Sequence, residues 1–179
     1  MAHLPAAGSA AESAAFGRAR PEQNGRDKAS QPVVLDAVSR HIIEQLQADG
    51  RRSYAAIGKA VGLSEAAVRQ RVQRLLDGGV MQIVAVTDPM SLGFRRQTMI
   101  GIRCNGDLER VADLLAGMEE IDYVVITAGS FDLLIEVVCE DDDQLLEILG
   151  QVRALPSVTT TETFVYLKLR KQTYQWGTR

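Results

Sequence analysis

The segment Leu133–Cys139, LLIEVVC, restricts the fold more than any other part of the chain. Successive side chains of a strand point to opposite faces. One set here is Leu133, Ile135, Val137 and Cys139, and the other is Leu134, Glu136 and Val138. Both are largely apolar, whereas a sheet with a solvated face alternates apolar and polar residues. One layer of helices covers only one face. A second body must cover the other, and the simplest candidate is another copy of the same chain.

The flanking pattern says what kind of sheet this is. A strand Gln97–Cys104 leads through Asn105-Gly106 to a helix Asp107–Met118. Strand Tyr123–Ala128 then turns at Gly129-Ser130-Phe131-Asp132 into Leu133–Cys139. The acidic run Glu140–Asp143 opens a helix Gln144–Ala154, which Pro156 breaks before a last strand, Val158–Leu169. The order βαββαβ is ferredoxin-like. Residues 97–170 are therefore expected to form an α+β oligomerisation domain, with a C-terminal tail over 171–179.

A different texture precedes it. Residues 1–32 are rich in Ala, Gly, Ser and Pro without an apolar period, which predicts a disordered tail. Their opening has neither the basic start nor the apolar stretch of a secretory signal. From Leu35, apolar residues recur at helical spacing through Leu46. Ser53 is placed to cap a second helix, which ends at Gly62, and Ser64 to cap a third, Glu65 to about Asp77. The expected unit over 33–80 is a three-helix winged helix-turn-helix. VMQIVAV and MSLGF then predict a strand and a hinge over 81–96.

Charge follows this division. The chain of 179 residues has a formal charge of -3, yet residues 33–79 carry +2 and residues 80–179 carry -6. The basic part holds the third helix, whose apolar side is Val68, Val72, Leu75 and Leu76. Opposite lie Ala66, Gln70, Gln73 and Arg74, with Arg69 and Arg71 on the flanks. Arginine pairs bidentately with guanine and glutamine with adenine in the major groove of double-stranded DNA. Arg51 and Arg52 stand before the second helix, where they and its N-terminal amides can meet phosphate. The expected DNA-contacting set is Arg51, Arg52, Ser53, Ser64, Ala66, Arg69, Gln70, Gln73 and Arg74. The bland alternative is that such a polar face only solvates its helix.

The stretch AAIGKAVGLSEAAVRQRVQRLLDGGVM resembles the helix-turn-helix of the Lrp/AsnC family of transcriptional regulators. TAGSFDLLIEVVCED and TTTETFVYLKL resemble that family's C-terminal ligand-sensing domain, so the likeness spans roughly 33–170. It implies a homodimer, often assembled into octamers, that binds DNA near promoters. It also implies an amino acid or related small metabolite held between subunits. The family's Gly-x-Phe/Tyr-Asp position falls on Gly129, Ser130, Phe131 and Asp132, and further polar contacts fall on Thr161 and Thr163. Gly129 amides would take the carboxylate of the effector and Asp132 its ammonium group.

Other residues fit plainer roles. Asp141, Asp142 and Asp143 sit where negative charge suits a helix N-terminus. Cys104 and Cys139 lack metal-ligand spacing and read as core thiols, with a redox switch as the alternative. No Ser-His-acid set, phosphate-binding loop or dinucleotide fingerprint points to an enzyme or a cofactor. No apolar run approaches the roughly 18 residues of a membrane span. The expected setting is cytoplasmic and nucleoid-associated. The rival reading is a metabolite-binding module acting on a partner protein, with the helices as a docking element.

Overall fold

The computed structural model describes residues 35–179, so the tail expected over 1–32 lies outside the described residues. Three helices come first: α1 (Ala37–Ala48), α2 (Tyr54–Val61) and α3 (Glu65–Asp77). Each starts at a side chain that accepts a hydrogen bond from an otherwise orphaned amide. Asp36 accepts from Ser39, Ser53 from Ala56 and Ser64 from Ala67. Ile42, Ile57, Val68 and Val72 are sealed between the three helices, each at most 1% exposed. Two glycines make the turn. Gly62 ends α2 in the left-handed region, at φ 74°. A Cβ on Gly58 would lie 2.5 Å from the Leu63 carbonyl oxygen, so only glycine lets the turn fold back onto α2.

The expected strand VMQIVAV does not form. Residues 81–88 have no ladder partner among the described residues, and no wing strand follows α3. Ile83, Val84 and Val86 stay 46%, 63% and 59% exposed. The run has the β-branched, apolar composition of a strand, but backbone groups need a second edge to pair with. A 3-10 turn at Pro89–Leu92, capped by Asp88, leads into the sheet.

The sheet contains β1 (Arg96–Cys104), β2 (Ile121–Ile126), β3 (Leu133–Cys139) and β4 (Val158–Val165), in the order β2-β3-β1-β4, all antiparallel. Helices α4 (Leu108–Ala116) and α5 (Asp142–Arg153) connect them, giving the βαββαβ order. Ile100 opposes Ile135 and Ile102 opposes Leu133, and all four are fully buried with Leu115, Ile148 and Val152 on the helix-covered face. β4 ends earlier than the sequence suggests, although the Tyr166 amide still donates to the Gln97 carbonyl at 2.9 Å. Leu167 beyond it is 95% exposed. The acidic run does cap: Asp141 accepts from the Gln144 amide at 2.9 Å, and Asp142 pairs with Arg96.

The second sheet face is covered unevenly. At the end where Arg96 opposes Cys139, the connection before β1 and the segment after β4 lie over Gln97, Glu136 and Val138. Beside Glu136 and beyond it, Met99, Leu134 and Phe131 are half-buried, and Phe164 and Tyr123 are 41% and 50% exposed. The chain therefore covers part of this face itself and leaves an apolar remainder open.

Candidate nucleic-acid interface and effector turn

The core side of α3 fixes what its other side presents. With Val68, Val72 and Leu75 buried, Ala66, Arg69, Gln70, Gln73 and Arg74 are all exposed on one surface. Their partners differ. The Arg69 guanidinium donates to Glu65 at 2.9 Å and lies 5.2 Å from the Tyr54 ring centre. The Gln73 amide donates to Asp77 at 2.7 Å. Gln70 and Arg74 have no side-chain hydrogen bond or ion pair to another described residue. Both keep their full donor capacity toward solvent or a ligand. Arg51, Arg52 and Ser53 are exposed at the start of α2. Ser53 and Ser64 spend an oxygen lone pair on their caps and retain their O–H.

Arg71 has a different task. It reaches Asp36 at 2.7 Å and Ser39 at 3.1 Å, tying α3 to the start of α1. The Ser39 amide, and then the Arg71 guanidinium, hold the Asp36 carboxyl down at about 2. This tie orients the exposed face against the rest of the three-helix unit. The sequence places Arg71 on a flank but offers no sign of its partner, 35 residues earlier.

The Gly129–Asp132 turn joins β2 to β3 and folds over β1. The Asp132 amide donates to the Ile102 carbonyl, and its side chain accepts from the Cys104 amide at 2.8 Å. Thr127 closes the turn by donating its hydroxyl to the Phe131 carbonyl at 2.6 Å. One Asp132 oxygen is thus already engaged within the fold. Gly129 and Ser130 are exposed. Gly129 is not in the left-handed region, and a Cβ there would meet nothing within 4 Å. The turn geometry does not demand glycine at this position.

Phe131 is held by a residue the sequence did not flag. Its ring lies on Gly101 so closely that a Cβ there would come within 2.7 Å of it. Phe164 meets the ring edge-on at 6.0 Å, and the Arg103 guanidinium sits 5.8 Å from its centre. Thr161 and Thr163 do not join this group. They pair with Ile102 and Ile100 and share the helix-covered face, where Arg153 donates to the Thr161 hydroxyl at 2.8 Å. The sheet lies between them and the Phe131 ring. The two cysteines are also apart. Cys139 opposes Arg96, eight residues along β1 from Cys104, or roughly 26 Å at strand spacing. A disulfide between them within one chain is excluded, and burial pushes both thiols up.

Among the described residues no helix is long and apolar enough to cross a membrane. The model of the AsnC-type helix-turn-helix domain matches residues 35–76, and that of a C-terminal dimeric alpha+beta barrel domain of these regulators matches residues 94–179. The HTH-type transcriptional regulator FL11 of Pyrococcus abyssi is 32% identical over 79% of this chain and 95% of its own. The proline dehydrogenase transcriptional activator of Rhizobium radiobacter is 31% identical over 78% and 93%. Among solved structures, the leucine response regulatory protein LrpA of Mycobacterium tuberculosis superposes with a TM-score of 0.70 at 26% identity, covering 77% of this chain and 96% of that one. AsnC of E. coli does so with a TM-score of 0.68 at 24% identity, over 79% and 99%. The two domain models and these relatives each follow the order found here, a helix-turn-helix and then an alpha+beta domain, and this chain belongs to the Lrp/AsnC family of DNA-binding helix-turn-helix transcriptional regulators.

Proposed function

We propose that α3 enters the major groove, with Gln70 and Arg74 reading base edges and Ala66, Arg69 and Gln73 beside them. The observation that carries this is the exposed α3 surface, on which Gln70 and Arg74 have no partner among the described residues. Phosphates would be met by Arg51, Arg52, Ser53 and Ser64. The protein-docking alternative would call for an apolar surface here, and the surface is polar. The direct test is binding of the full chain to genomic fragments recovered by chromatin precipitation, titrated across salt. A DNA reader loses affinity steeply as salt rises, because bound counterions are released. Binding that ignores salt would favour docking onto a protein.

The open part of the second sheet face supports a homodimer. A matching domain family described as a dimeric barrel agrees with that use of the sheet. An isologous pair would set two α3 helices for a pseudo-palindromic site about one DNA turn apart. Octamers built from such dimers are the further expectation. The five domain segments, from the tail over 1–32 to that over 171–179, and a cytoplasmic, nucleoid-associated location belong to the same reading.

The sensing role rests on the Gly129–Asp132 turn. A transcriptional regulator of Neisseria meningitidis with a similar fold has been solved as a complex with L-Met, with a TM-score of 0.69 at 22% identity. In this chain the exposed Gly129 and Ser130 backbone is open to a carboxylate, and Asp132 can offer its second oxygen to an ammonium group. Phe131 joins this turn to the sheet face proposed for dimerisation, so a ligand at the turn would act on the assembly. Thr161 and Thr163 lie across the sheet from Phe131, so any contact of theirs with an effector would be made on the helix-covered face. Calorimetry of amino acids against the wild type and Gly129→Val tests this: added bulk should block binding without straining the turn.

A further inference from the structure

We infer that α3 selects a half-site of two A·T pairs followed by one G·C pair, read by Ala66, Gln70 and Arg74 alone. The inference rests on the reading of α3 as the helix that enters the major groove, and it adds which bases that helix selects.

Every fourth residue of an α-helix lies about 6 Å further along and only about 40° further round, so such residues form a stripe. The outward part of α3 has three stripes, and two are already engaged. Glu65, Arg69, Gln73 and Asp77 make the first, and all are exposed. Arg69 donates to Glu65 at 2.9 Å and Gln73 to Asp77 at 2.7 Å, so this stripe closes on itself. Surface contacts of this kind are weak, but they set direction. The Arg69 guanidinium is drawn over the Tyr54 ring of α2, and the Gln73 amide along the helix onto a carboxylate. One cation against two carboxylates also leaves the stripe without a net attraction for phosphate. Ala67 and Arg71 make the second stripe, which Arg71 ties to Asp36 and Ser39.

The third stripe is Ala66, Gln70 and Arg74. All three are exposed, and neither Gln70 nor Arg74 has a side-chain partner among the described residues. Its chemistry is ordered along the helix. Ala66 offers a methyl group, which suits the C5-methyl of thymine. Gln70 offers a donor and an acceptor side by side, matching adenine N7 and N6. Arg74 offers a fork of donors, matching guanine O6 and N7. Reach grows in the same order, from one carbon to a full guanidinium arm. Where the N-terminal end of a recognition helix meets the base edges, later positions stand further off, and the lengthening side chains make up the distance. Ala66 to Arg74 spans about 12 Å of helix. At 3.4 Å per base pair this covers about four pairs, with the readers about two pairs apart.

The test is selection from a pool of randomised duplexes by full-length protein, with the bound sequences read out. Wild type should enrich two A·T pairs and then a G·C pair, at steps of about two base pairs. Gln70→Ala should flatten the preference at the second A·T pair alone, and Arg74→Ala that at the G·C pair alone, each by about ten-fold or more. Arg74→Lys keeps the charge but not the fork, so it should lose the G·C preference while holding overall affinity better than Arg74→Ala. Uracil in place of thymine at the first pair removes only the methyl group and should weaken wild-type binding about four-fold. Arg69→Ala and Gln73→Ala should leave every base preference in place. A base preference lost in Arg69→Ala or Gln73→Ala overturns the inference while α3 stays the reading helix. So does a change in Gln70→Ala or Arg74→Ala that falls on the other type of base pair, or full affinity for the uracil duplex. A motif unchanged in all five variants removes the reading of α3 itself, and this inference with it.

Discussion

Replacing glycine by alanine inside a helix should have opposite signs at two places in this protein. Alanine is the better helix former by about 1 kcal/mol, chiefly because it restricts the unfolded chain. At Gly150, in α5, a Cβ would meet nothing within 4 Å, so Gly150→Ala should stabilise by about 0.5–1 kcal/mol. At Gly58, in α2, the Cβ would stand 2.5 Å from the Leu63 carbonyl oxygen and 3.5 Å from the Ser64 carbonyl carbon. That obstacle is backbone, pinned by the Leu63 amide donating to the Gly58 carbonyl at 2.9 Å and by the Ser64 cap. Relief means lifting α3 away from α2, an overpacking cost of about 1–3 kcal/mol and more where the backbone resists. Set against the propensity gain, Gly58→Ala should destabilise by about 2 kcal/mol, the upper end of that cost because the obstacle is backbone. It should also weaken DNA binding, which Gly150→Ala should not. Urea unfolding of both variants, followed by far-ultraviolet circular dichroism, gives the two signs. A Gly58→Ala protein as stable as wild type would refute the close-approach argument.

Three further outcomes follow from particular contacts. The Asp36 carboxyl is held at about 2, below its ordinary 3.8, so its contribution is complete above that ordinary value and is lost as pH falls toward 2. Chemical shifts of Ser39 and the Asp36 carboxyl, followed from pH 5 downward, should show this step, and Arg71→Ala should move its midpoint up. Asp132→Ala leaves the Cys104 amide without its acceptor and should cost about 1–3 kcal/mol, which Asp132→Asn should largely restore in a thermal melt. Phe164→Glu puts charge on the open sheet face, and light scattering should show dimers giving way to monomers; unchanged dimers would move the interface elsewhere.

The parts of this architecture legible in the sequence are those set by local chemistry. Ser53, Ser64, Asp107 and Asp141 cap where their residue types say they should, and Gly62 turns where a positive φ is needed. The apolar period of α3 fixes which of its residues are exposed. The missed features depend on what lies far away in sequence. VMQIVAV has the composition of a strand, but a strand requires a partner edge, and the described residues supply none. Thr161 and Thr163 are legible as polar strand residues, but the face they occupy depends on the register of β4 against β1. Gly101 shows only an ordinary glycine within a strand, a sign of close approach that does not say what approaches. That Phe131 covers it follows only from the hairpin folding over β1. The covered end of the second sheet face was hidden in the same way, since the segment after β4 has no periodic signal.

The claim on which the rest depends is that the exposed side of α3 reads DNA sequence. Fluorescence anisotropy with one genomic site and one scrambled duplex, at a fixed salt concentration, tests it in four proteins: wild type, Gln70→Ala, Arg74→Ala and Arg51→Ala. Gln70→Ala and Arg74→Ala should each lose about 1–3 kcal/mol on the genomic site and much less on the scrambled one. Arg51→Ala should weaken both duplexes alike, as a phosphate contact does. If Gln70→Ala and Arg74→Ala both keep wild-type affinity for the genomic site, α3 is not the reading helix and the account is wrong.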